Sequence, residues 1–126
     1  MVDIRKQVDH WREGAEKSWS LGVRIIEWGD TLEGLFFIHL ALEKMLKAHV
    51  CRTTQDLAPR IHRLTRLLEM ASLEVQEPWF DLLAQMNSFQ VGGRYPEIDQ
   101  EAPDSGEARD LVARCEEVFL WLKNQL

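Results

Sequence analysis

The sequence predicts an all-α fold, an up-and-down bundle of four to five antiparallel helices, on three observations. Apolar residues recur at three- and four-residue steps along most of the chain. No stretch alternates apolar and polar residues as a half-buried strand would. Short polar or Gly/Pro-containing breaks separate the periodic segments, and short connections favour antiparallel neighbours. At 126 residues the chain has the length of a single domain, 1–126, with one core.

The first helix is expected from about residue 3 to residue 28. Its stripe is Ile4, Val8, Trp11, Ala15, Trp19, Gly22 and Ile25 or Ile26, and Gly29 is a natural stop. Ala15, Ser18 and Gly22 are small enough to admit a partner helix closely. Asp30 with Glu33 reads as a capping box opening the second helix. That helix is apolar on more than one side: Leu35, Ile38, Leu42, Met45 and Leu46 lie on one, Phe37, Ala41 and Ala48 on another. Such a helix is central in a bundle or has a second interface. It is expected to end near Cys51, before the polar stretch Thr53-Thr54-Gln55-Asp56.

Pro59 suits the first turn of a third helix with Ile61, Leu64, Leu67, Leu68 and Ala71 inward and Arg63 and Arg66 outward. Pro78 suits the start of a fourth, with Trp79, Phe80, Leu82, Leu83 and Met86 as its apolar contacts. Ser88 to Pro103, with Gly92-Gly93 and Pro96, is the one long irregular stretch expected. Asp104 with Glu107 caps the last helix, whose repeat is Ala108, Leu111, Val112, Cys115, Val118, Phe119 and Leu122.

No apolar run approaches the roughly 20 residues of a membrane span, and no membrane partner is expected. Met1 to His10 lacks the apolar core of a signal peptide. Cys51 and Cys115 have no CxxC spacing and read as buried thiols of a reducing compartment, so the expected location is cytoplasmic. The net charge of −6 conceals a basic stretch. Between residues 44 and 66, Lys44, Lys47, Arg52, Arg60, Arg63 and Arg66 face Asp56 alone. The overall charge disfavours long-range steering toward nucleic acid but allows a local anion site; a solvated basic face explains the same residues.

There is no glycine-rich phosphate loop, zinc-binding spacing or nucleophile elbow. His39 and Glu43 share a helical face, but without a second such pair no metal or cofactor is expected. Glu43 and Lys47 stand four apart with the acid on the N-terminal side, an arrangement that on a surface contributes only about 0.3–0.5 kcal/mol. Their apolar surroundings suggest instead a partly buried polar stripe, where a charge needs a partner. Arg94, with Tyr95, is expected to supply one by folding the Gly-Gly-Arg-Tyr-Pro-Glu segment over the second helix.

Three segments together carry a resemblance. Ala41-Leu42-Glu43-Lys44-Met45-Leu46-Lys47-Ala48, then Ile61-His62-Arg63-Leu64, then Arg94-Tyr95-Pro96-Glu97 are similar, in order and spacing, to the HEPN domain family over nearly the whole chain. The resemblance implies a five-helix bundle that forms homodimers. It also implies a compact prokaryotic type paired with a nucleotidyltransferase subunit, as a substrate- or nucleotide-binding partner or a toxin–antitoxin component. Carried over by motif, Glu43, Lys44, Lys47, His62, Arg94 and Tyr95 are the expected ligand-binding residues, with phosphate on Lys47 and Arg94. The same residues equally suit a purely structural role.

Many members of that family are metal-independent ribonucleases. Their signature is an arginine, about four to six intervening residues and a late histidine, which stabilise charge and shuttle protons during attack by the RNA 2′-hydroxyl. After Arg94 the corresponding positions Asp99, Gln100 and Glu101 hold no histidine, and the one literal match, Arg5 to His10, falls in the first helix. The expectation is therefore a non-catalytic subunit with no catalytic residues. A metal-independent endoribonuclease toxin using His62 or His39, and a helical dimerisation module without a small ligand, are the alternatives. Trp11, Trp19 and Trp28 fall in different phases of the first helix, more than one stripe buries, which suits a subunit interface.

Overall fold

The computed structural model describes residues 2–92 and 101–126, apart from the side chains of residues 91 and 92. Among them every regular element is helical: α1 Ile4–Glu27, α2 Thr31–Thr54, α3 Leu64–Met70, α4 Glu77–Met86, the single turn α5 Phe89–Gly92 and α6 Ser105–Asn124. The all-α bundle expected from the periodicity is the fold observed.

The helix α2 occupies the centre, packed against α1, α3, α5 and α6. Its broadly apolar surface is the reason: Leu35, Ile38, Ala41, Leu42, Met45 and Leu46 are all fully buried. The hairpin α1–α2 is antiparallel, because Ser18 meets Lys44 near its middle and Gly22 meets Gly34 toward its turn. Those two glycines set the separation of the helices. A Cβ on Gly22 would sit 2.9 Å from Ile38 Cδ1, and one on Gly34 would overlap Ile26 Cγ1. At the turn Asp30 is the N-cap of α2 without a side-chain capping bond, so the expected box with Glu33 does not form. At α6 the box residues do engage, with Asp104 Oδ1 accepting from Glu107 N at 2.8 Å.

The largest departure from the sequence reading lies between α2 and α3. The second helix continues past Cys51 to Thr54 and stops at Gln55, which adopts a left-handed conformation at φ 56°. The third starts at Leu64 rather than Pro59, leaving Ile61, His62 and Arg63 outside it. Ile61 still packs on the core. A geometric requirement accounts for the extended connection. From Glu43 to Thr54 the helix α2 rises roughly 16 Å, and eight further helical residues would recover only about 12 Å. Extended, the same residues reach up to roughly 26 Å, enough to return His62 to the level of Glu43. The helix α3 then runs beside α2 in the same direction, with Thr53 Oγ1 donating to the Ala71 carbonyl at 3.1 Å.

The N-terminus of α3 is closed from outside its own sequence: Asn87, just past α4, accepts from Leu64 N at 2.8 Å. The turn α5 falls inside the stretch expected to be irregular, and Phe89 there is buried in the core. The helix α6 also runs alongside α2, since Thr31 donates to Pro103 O at one end and Arg52 to Gln125 O at the other. It opposes α1, with Trp19 stacked on Phe119 at 4.6 Å and Lys123 paired with Glu16 at 2.6 Å. No described helix is long and apolar enough to cross a membrane.

Candidate functional site

Glu43 lies in the middle of α2 and is 4% exposed. Its burial follows from its helix being enclosed on several sides, so a charge placed there must find partners within the protein. Lys47, one turn later and 5% exposed, donates from Nζ to Glu43 Oε2 at 3.0 Å. The ammonium also stands 5.2 Å from the ring centre of Trp11 on α1, within the range of a cation–π contact. Trp11 Nε1 is itself buried and meets no acceptor among the described residues.

The third member comes from outside the helix. His62 Nδ1 lies 3.0 Å from the same Glu43 oxygen, delivered by the extended return of the chain after α2. A carboxylate accepts only, so Nδ1 carries the hydrogen and Nε2 is the ring nitrogen not engaged by Glu43. The His62 side chain is 55% exposed. It borders a cleft of about 270 Å³ whose other walls are Arg63, Asn87 and Gln90. His39 Nδ1 stands 3.8 Å from the second oxygen of Glu43, too long for a hydrogen bond but close enough for electrostatic contact.

Glu43, Lys47 and His62 are thus brought together, whereas Lys44 is not. Lys44 points to α1, where Nζ donates to Ser18 Oγ at 2.9 Å. Partial burial pushes its pKa below the ordinary lysine value, against the opposing pull of the Glu43 charge. Arg94 and Tyr95, with the whole Gly-Gly-Arg-Tyr-Pro-Glu cover expected over α2, lie outside the described residues. Lys47, expected to hold phosphate, has its ammonium enclosed against Glu43 and Trp11.

Three residues of the site escaped the sequence reading. Arg63 was visible as an outward cation of a helix that does not extend to it. Asn87 and Gln90 had no signal beyond their place after a periodic segment. No group of three His, Cys, Asp or Glu side chains among the described residues converges as metal ligands would.

The fold and this site define a class: a helical bundle domain with a buried carboxylate–ammonium pair on its central helix and an imidazole carrying that pair to the surface. The chain belongs to the HEPN domain family, whose model matches residues 8–125. Two solved structures share the fold. TT1696 from Thermus thermophilus superposes with a TM-score of 0.79 at 19% identity, covering 95% of this chain and 98% of that one. ST0689, described as an archaeal HEPN homologue, gives 0.72 at 17% identity, with coverage of 94% and 97%. A comparison with curated proteins finds no match.

Proposed function

We propose that this HEPN-family chain is a non-catalytic subunit that binds the phosphate of a nucleotide beside His62 and acts with a nucleotidyltransferase partner, as a homodimer within a two-component or toxin–antitoxin module. The observation that carries the proposal is the attachment of half-exposed His62 to buried Glu43 at 3.0 Å, at the rim of a cleft also lined by Arg63, Asn87 and Gln90. The carboxylate fixes the ring through Nδ1, and the neighbouring Arg63 guanidinium adds a permanent positive charge. A guanidinium, an imidazole and two amides suit phosphate oxygens. Lys47 serves this site from behind, holding Glu43 in place rather than meeting ligand.

The test is ligand-induced stabilisation. A nucleoside triphosphate at about 100 times its Kd stabilises the folded state by roughly 2.7 kcal/mol. That shift is expected for the wild-type protein and is expected to vanish in His62→Ala and Arg63→Ala. A nucleotide response that survives both substitutions would overturn the assignment of the cleft. Co-purification with the product of an adjacent nucleotidyltransferase reading frame tests the partner separately.

A second reading has its own support in the same geometry. A histidine held through Nδ1 by a carboxylate presents Nε2 as a general acid or base, beside an arginine able to stabilise developing charge. RNA cleavage in the presence of a metal chelator, abolished by His62→Ala, would favour the endoribonuclease over the binding subunit.

A further inference from the structure

A second concave site stands apart from Glu43, at the contact between α4 and α6. Trp79, in the first turn of α4, meets Trp121, near the end of α6, with ring centres 5.6 Å apart and planes inclined at 69°. Both indoles are only partly buried. Together with Glu74, Val75 and Gln76 they enclose a cleft of about 310 Å³. The walls are thus an aromatic corner, a carboxylate and an amide.

We propose that this corner binds an organic cation of the methylated ammonium or guanidinium type. The face of an indole is electronegative and attracts a cation within about 6 Å, and tryptophan is the strongest of the aromatic residues at this. In this edge-to-face pair the ring that presents its edge keeps both of its own faces clear of the other, and Glu74 in the same wall adds a formal negative charge. No cationic side chain lines the cleft among the described residues. The nearest lysine in sequence, Lys123, is turned to α1 and paired with Glu16. Glu117, one turn before Trp121 on the exposed side of α6, extends the negative field. A phosphate-bearing ligand would meet the Glu74 carboxylate with no cationic side chain in the wall to offset it, so charge selects against it. A weakly hydrated cation suits the site better than a metal ion, because the indoles offer no lone pairs to replace tightly held water.

The shared chemistry has two sources, a free small molecule such as a quaternary amine or a methylated side chain of a partner protein. The experiment titrates the full chain with choline, with its uncharged carbon isostere dimethylbutanol, and with a short peptide carrying one trimethyllysine. The indole N–H resonances of Trp79 and Trp121 report binding at constant ionic strength. Choline is expected to shift both signals saturably, and dimethylbutanol to bind more weakly by roughly threefold or more. Glu74→Gln and Trp121→Phe are each expected to weaken choline by a similar factor. Glu74 is exposed, so its amide variant keeps the test valid if the aromatic substitution disturbs packing. Tighter binding of the peptide than of choline assigns the cation to a partner protein, and the reverse assigns it to a free amine. Equal binding of choline and dimethylbutanol, no saturable shift with any probe, or an unchanged affinity in Glu74→Gln would overturn the proposal.

Discussion

Replacing Glu43 by glutamine tests the electrostatic account of the site most directly. The substitution keeps the shape of the side chain and an acceptor oxygen, and removes only the charge that faces Lys47. At 3.0 Å, with an effective interior dielectric of 20, the attraction between carboxylate and ammonium is roughly 5 kcal/mol. Much of that is spent in removing both ions from water, so the net contribution of the intact pair is small. Breaking it is different, because Lys47 is 5% exposed and has no other described carboxylate within ion-pair reach. Leaving one buried charge uncompensated costs about 3–5 kcal/mol, a large share of the roughly 5–15 kcal/mol that stabilises a typical domain. The contribution of His62 is discounted, since its exposed ring is screened by solvent. For a chain of this length the loss corresponds to a fall in Tm of roughly 12–20 °C. The assay is urea unfolding of wild type, Glu43→Gln, Lys47→Met and the double variant. The double variant is expected to recover most of the loss, because it removes both charges together. A cost below about 1 kcal/mol for Glu43→Gln, or a double variant as unstable as the sum of the singles, would refute the reasoning.

Other consequences follow from packing and titration. Gly34→Ala is expected to destabilise by about 1–3 kcal/mol through overlap with Ile26, outweighing the gain in helix propensity, as thermal melting will record. His49, fully enclosed, has its pKa lowered from 6.5 by burial, partly offset by its hydrogen bond to the Leu122 carbonyl and reinforced by Arg52. Its neutral form is therefore the folded one. The unfolded chain takes up a proton near 6.5 and the native chain does not, so this stability is complete above that pH and declines as pH falls below it. His49→Gln, which keeps a donor for Leu122 O, is expected to flatten the decline in a series of unfolding curves between neutral pH and about pH 5. Burial pushes both thiols up, Cys115 to about 12, so neither Cys51 nor Cys115 is expected to react with iodoacetamide until the protein unfolds. Rapid labelling of Cys115 in the native state, read by mass spectrometry, would contradict its enclosure between α6 and the core.

Much of the candidate site was legible before the structure, though not its internal assignments. Glu43 and Lys47 were paired by spacing alone, since residues four apart on a helix are neighbours wherever that helix lies. Lys44 carried equal weight by motif, yet it is one residue along the helix from Glu43 and faces Ser18 across the α1 interface. Arg63, Asn87 and Gln90 gave no warning of their convergence on His62, because the chain between them turns twice and sequence separation says nothing about where it returns. The aromatic corner was equally hidden: Trp79 reads as one of the apolar contacts of the fourth helix, and Trp121 falls outside the repeat of the last.

The sequence by itself determined that the protein is a helical bundle, that its second helix is apolar on more than one side and that a charged stripe runs among those apolar residues. Those properties are local, set by the 3.6-residue repeat and by how much of a helix's circumference is apolar. Tertiary structure alone decided where α3 begins and hence that His62 reaches Glu43. Pro59 is an acceptable first residue of a helix, and nothing local forbids one there. The choice went to an extended strap because only extended backbone is long enough to bring His62 back alongside Glu43.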